Sequence, residues 1–132
     1  MTSELFGDAD VIASYSRAQA IDDGVLVDVS ETAREAGFRY PVALTCGAWA
    51  ELVAWDDANA AVQDEAGRLW DVLWMARAAI ARSSGRRRVT ATLRRVENRP
   101  DATAATVAAF VAECGPGDDL EPVITLMLPG ED

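Results

Sequence analysis

The spacing of apolar positions divides the chain into a helical first two thirds and a strand-rich end. Val11, Ala18 and Ile21 predict a helix over Asp10–Asp23, and Gly24 can take the left-handed conformation that ends it. Val25 to Val29 is too short and too weakly alternating for more than an extended link or a small strand. Ser30 as N-cap, Glu31 in the first turn and Gly37 as terminator predict a short helix. Pro41 bars a helix through Tyr40. Trp49, Leu52 and Val53 then give a helical stripe over Thr45–Trp55, capped by Thr45 and closed by Asp56, Asp57, Ala58 and Asn59.

The strongest element runs over Asp64–Ser84. Leu69, Trp70, Val72, Leu73, Trp74, Ala76 and Ile80 wrap most of its circumference, which predicts a central helix with Trp70 and Trp74 in the core. Asp64, Arg68, Asp71 and Arg82 form the narrow polar stripe, where neighbouring charges three or four apart can pair. Ser83, Ser84 and Gly85 break the helix. Val89, Ala91 and Leu93 then alternate with Arg88, Thr90, Thr92 and Arg94, the period of a half-buried strand. Residues 102–114 conflict: Val107, Phe110, Val111 and Cys114 have helical spacing and Ala favours helix, whereas neighbouring strands favour a strand. We read a strand, with a last one over Val123–Leu128. The expectation is one α+β domain over 1–132. Its helical N-terminal two thirds and long central helix (64–84) would pack on a small C-terminal antiparallel sheet of three strands.

Composition narrows the chemistry. The 132 residues are half hydrophobic, enough for one core, and no apolar run reaches the roughly 18 residues of a membrane span. The first residues lack a signal peptide's basic and apolar regions, so the chain reads as cytoplasmic. With no His, the Ser-His-Asp and Cys-His nucleophile pairs are excluded. With no Lys, so are the Walker-type phosphate lysine and the Schiff base. Cys46 and Cys114 stand far apart and read as buried free thiols, so we expect no metal and no cofactor.

Charge is segregated. Residues 77–99 hold eight of the twelve Arg against Glu97, a local +7; elsewhere 21 acids face four Arg, or −17. The acids Asp22, Asp23, Asp56, Asp57, Asp118 and Asp119 are candidate protein-binding residues. Much of the acidity around Asp22, Asp23 and Glu31 also suits helix ends. Tyr15, Arg17 and Gln19 are the one polar cluster with a ligand-binding mix, and with Asp22, Asp23, Asp28, Asp118 and Asp119 they keep a carboxylate-based enzyme in view. The Gly115–Asp119 loop reads as a hairpin turn, because two Asp oppose an anion. Arg86, Arg87, Arg88 and Arg94 could touch phosphate, but they lack interleaved aromatics, and pairing with the protein's own acids is the expected use.

Three stretches, YSRAQAIDDGVLVDVSETAREAGFRYPVALT, QDEAGRLWDVLWMA and CGPGDDLEPVITLMLPGED, resemble a family of uncharacterised small bacterial proteins carried on plasmids, prophages and integrating elements. The resemblance implies no catalytic residues. Together with the −17 it leads us to expect a non-enzymatic acidic factor that binds a bacterial host protein with a basic surface. The concrete form is an anti-CRISPR or antirestriction antagonist occupying a nucleic-acid channel. Alternatives are a small carboxylate-based, metal-dependent or ligand-binding enzyme, and a nucleic-acid-associated accessory protein using the Arg strip 86–95. Direct nucleic-acid binding runs against the net charge of −10, and self-association stays open.

Overall fold

A computed structural model describes residues 15–56 and 63–131. In chain order the elements are α1 (Arg17–Asp22), β1 (Leu26–Asp28), α2 (Ser30–Glu35), β2 (Val42–Thr45), α3 (Cys46–Leu52), α4 (Glu65–Ala81), β3 (Arg88–Val96), β4 (Ala105–Pro116) and β5 (Pro122–Met127). The strands form one sheet of five in the order β1-β2-β5-β4-β3. Among the described strands only β2 and β5 run parallel.

This corrects the expected architecture. The C-terminal meander β3-β4-β5 forms as read, but the N-terminal half adds two strands rather than a helical mass. The segment over β2 is a continuous apolar run, Val42-Ala43-Leu44, and all three side chains are buried. Such a run suits a strand covered on both faces. It pairs with β5 through Val42–Ile124 and Leu44–Leu126, so β5 lies inside the sheet between β2 and β4. The Ala-rich segment is strand β4, because its register places Phe110 beside Ala91, Ala108 beside Leu93 and Ala112 beside Val89. Long-range pairing overrides the helical preference of Ala.

One sheet face carries Val27, Val42, Leu44, Ile124, Leu126, Phe110, Ala112, Ala91 and Leu93, which cluster with Val72, Leu73 and Ala76 of α4 and with Ala33, Ala48 and Leu52. Phe110 is its largest fully buried side chain.

The central helix differs from its expected orientation. The buried residues of α4 are Arg68, Leu69, Val72, Leu73, Ala76 and Ala79, a single stripe. Trp70 and Trp74 therefore face outward, 40% and 50% exposed, instead of filling the core. Arg68, read as a surface residue, is 3% exposed. Asp64 does not pair with it: its Oδ1 accepts the Gly67 N–H at 2.6 Å and caps the helix. Ser30 likewise is no N-cap; its hydroxyl bonds Asp28 Oδ1 at 2.6 Å and accepts the Val42 N–H at 3.0 Å, tying α2 to β2. Cys46 is exposed rather than buried.

Replacing Phe110 by Ala is expected to cost about 3–5 kcal/mol, the range for emptying a packed aromatic site. Trp74→Ala should cost about 1 kcal/mol or less, as a surface change. Urea denaturation of both variants checks the assignment, and equal losses would contradict it.

Candidate functional site

The predicted polar cluster is assembled only in part. Ser16 caps α1 by accepting the Gln19 N–H at 2.9 Å, and Tyr15, Ser16 and Arg17 line a cleft of about 470 Å³ with Leu26, Gly117 and Asp118. The Gln19 side chain lies outside that lining. The cleft's charged groups are engaged in holding the fold. Arg17 donates from Nη1 to Thr125 Oγ1 at 2.7 Å and from Nη2 to the Ile124 carbonyl at 2.8 Å. Asp118 accepts the backbone N–H groups of Arg17 and Ala18 at 2.7 and 3.0 Å. These bonds, more than Arg17's charge, hold its carboxyl below the usual range. Tyr15 donates to Asp23 Oδ2 at 2.7 Å, which stabilises the phenol and raises its pKa. A phenol held protonated is a poor base at neutral pH.

Among the described residues no three acids or cysteines converge as metal ligands. Asp22 and Asp119 are exposed, and their carboxylates have no partner among the described residues. Asp56 sits elsewhere, its N–H donating to Asn98 Oδ1 at 2.9 Å. Asp57 lies outside the described residues.

The Arg segment lines the opposite side of the sheet, where β3 is the terminal strand. Arg88 pairs with Glu113 at 3.0 Å and reaches the Glu131 carbonyl at 3.4 Å. Arg86, Arg87 and Arg94 do not follow the expected use: among the described residues none makes an ion pair. Arg82, Ser84, Arg86 and Arg88 line a polar cleft of about 550 Å³ at the α4–β3 connection. Farther along, Trp74, Met75, Leu93, Arg94 and Val107 line a mainly apolar groove of about 410 Å³ with Asp71 at its margin.

Trp74 brings to this groove an aromatic that the Arg segment lacks in sequence. Trp70 and Trp74 stack with centroids 6.3 Å apart and planes inclined by 16°. The Arg77 guanidinium lies 6.0 Å from the Trp74 ring. Val107, on the outer face of β4, is 63% exposed. Sequence reasoning missed this surface because it placed both Trp inside. The signal was Arg68: turned inward, it rotates Trp70 and Trp74 outward.

Arg68, on the buried stripe of α4, is held by two main-chain carbonyls. Its Nε donates to the Val53 carbonyl at 3.0 Å, Nη1 to the Val96 carbonyl at 2.8 Å, and its guanidinium lies 4.8 Å from the Trp55 ring. Among the described residues no carboxylate pairs with it, and Nη2 has no acceptor. Burial, and then the neighbouring Arg95, lower its pKa.

A family model described as a family of unknown function (DUF6573) matches residues 2–132. No curated protein matches the chain, and no solved structure does. Among the described residues no helix is long and apolar enough to cross a membrane.

Asp118 gives a pH test. Its folded pKa is depressed, so its contribution is present above the unfolded value of about 3.9 and is lost as pH falls through the folded value. Asp118→Asn should melt below wild type near neutral pH. The gap should close as pH drops below about 4. A gap unchanged down to pH 2 would contradict the capping role.

Proposed function

We propose, for a chain that belongs to a family of unknown function (DUF6573), that it acts by binding another protein through the α4–β3 side of its sheet. The observation that carries this is the exposed Trp70–Trp74 stack beside an apolar groove and Arg94, which makes no ion pair among the described residues. Trp and Arg dominate the energetics of protein interfaces, and contiguous exposed apolar surface is costly unless a partner covers it. The titratable groups of the Tyr15 cleft hold the fold, which favours binding over chemistry there.

A narrower reading concerns the acidic pole. Asp22 on α1 and Asp119 in the β4–β5 turn lie away from β3 and its Arg side chains. An acidic pole suits docking on a basic surface. Together with the resemblance to proteins of mobile elements, this supports the cytoplasmic antagonist of a bacterial defence complex, with Asp22, Asp23, Asp118 and Asp119 facing a basic nucleic-acid channel. The same acidity disfavours nucleic acid as the direct ligand.

Proteins captured from a bacterial lysate by wild type, then purified, supply the test. Trp74→Ala combined with Val107→Asp should weaken binding by about tenfold or more, the size of an interface hot spot. Equal affinity would remove the α4–β3 reading. Asp22→Asn with Asp119→Asn should slow association and reduce its salt dependence if the acidic pole steers docking. An unchanged association rate would remove the narrower reading.

A further inference from the structure

The hydrogen-bonding phase of β3 identifies a recognition mode at this docking surface, and the inference rests on the reading of that surface as an interface. Cys114 N–H donates to the Arg87 carbonyl at 2.7 Å, and the β3–β4 register continues without a break from Arg88–Glu113 to Val96–Ala105. In an antiparallel ladder hydrogen-bonded pairs alternate with non-bonded ones. Val89, Ala91 and Leu93 therefore spend their backbone groups on β4. Those of Thr90, Thr92 and Arg94 point away from the sheet, and nothing among the described residues takes them up. The Val96 carbonyl points the same way, and Arg68 Nη1 occupies it. One end of the edge is thus closed by Arg68; the basic cleft lies at the other.

An open edge of this kind is a template for a further strand, and natural proteins commonly cover or blunt it. Here it is flanked by Trp74 and Leu93 on one side and by Val107 and Arg94 on the other. Arg82, Arg86 and Arg94 have no ion pair among the described residues, in a chain whose net charge is −10. We infer that the β3 edge takes an extended, acidic peptide segment of the partner as a sixth strand. Its backbone pairs with Thr90, Thr92 and Arg94. One row of side chains is apolar and meets Trp74; acids of the opposite row meet Arg94, and acids at the cleft end meet Arg82 and Arg86. A second copy of this chain fits poorly, because it would bring another Arg-rich strand to the same edge. Nucleic acid fits less well, because Asp71 borders the groove and Trp70 and Trp74 stack on each other.

Selection of a randomised nine-residue peptide display library against the purified protein tests this. The expected winners are acidic, with apolar residues at period two. Their affinity should fall at least tenfold on Thr92→Pro, which deletes an outward N–H and leaves the β3–β4 bonds intact. It should also fall on Arg82→Gln with Arg94→Gln. If Thr92→Pro melts early, N-methylation of alternate amides in the winning peptide makes the same test on wild type. No enrichment, basic winners or a helical apolar period would overturn the inference, as would winners indifferent to both Thr92→Pro and N-methylation. If those winners are still lost on Trp74→Ala, strand pairing falls and the docking surface stands; if Trp74→Ala is also silent, both fall. A dT12 oligonucleotide that binds more tightly than every winner and displaces it would overturn the peptide in favour of single-stranded nucleic acid.

Discussion

The buried guanidinium of Arg68 is the constraint on which the candidate surface depends. A charge taken from water without a carboxylate is costly unless hydrogen bonds replace its hydration. Arg68 finds two carbonyls that would otherwise lack partners: Val53, just past the end of α3, and Val96, on the open side of β3. The Trp55 ring lies over it. One side chain thereby joins three elements and sets the rotation of α4. With Arg68, Leu69, Val72 and Leu73 inward, Trp70 and Trp74 have nowhere to point but out. The groove between α4 and β3 follows from that rotation.

The other side of the molecule is organised around β5. It pairs parallel with β2 and antiparallel with β4, so it carries the connection between the two halves of the chain. Arg17 crosses to Thr125 and Ile124, and Asp118 returns the tie by capping α1, contacts spanning about one hundred residues of sequence. These bonds explain why a cleft with a Tyr, an Arg and an Asp is a joint of the fold. The same groups cannot hold the joint and remain free for chemistry. Among the described residues, the side chains of Asp22 and Asp119 at one end of the sheet and of Arg82, Arg86 and Arg94 beside β3 are left without ion pairs.

Much of the local structure was legible in the chain. Gly24 ends α1 with a φ of 79°, Thr45 caps α3, and the alternation of β3 reports its buried face correctly. The global arrangement was not. The strand β2 is a short apolar run without alternation, and only its parallel pairing with a strand about eighty residues away distinguishes it from a link. The orientation of α4 was misread because apolar residues surround it almost evenly. Which of Arg68 and Trp74 turns inward depends on two distant carbonyls that no periodicity reveals. Tyr15, Arg17 and Asp118 were singled out from their residue types, but that Asp118, from the β4–β5 turn, caps the Arg17 end of α1 appears only in the fold. The Arg segment was visible as charge, while the aromatic groove beside it appeared only once α4 and β3 were placed together.

The central claim is that β3 presents an open edge beside an outward Trp74. Amide hydrogen exchange of the free protein, resolved by residue, measures this most directly. The account predicts alternation along the strand: Val89, Ala91 and Leu93 exchange slowly because they bond to β4, while Thr90, Thr92 and Arg94 exchange far faster. Uniform protection from Val89 to Arg94 would mean that the edge is already covered, and the account would be wrong.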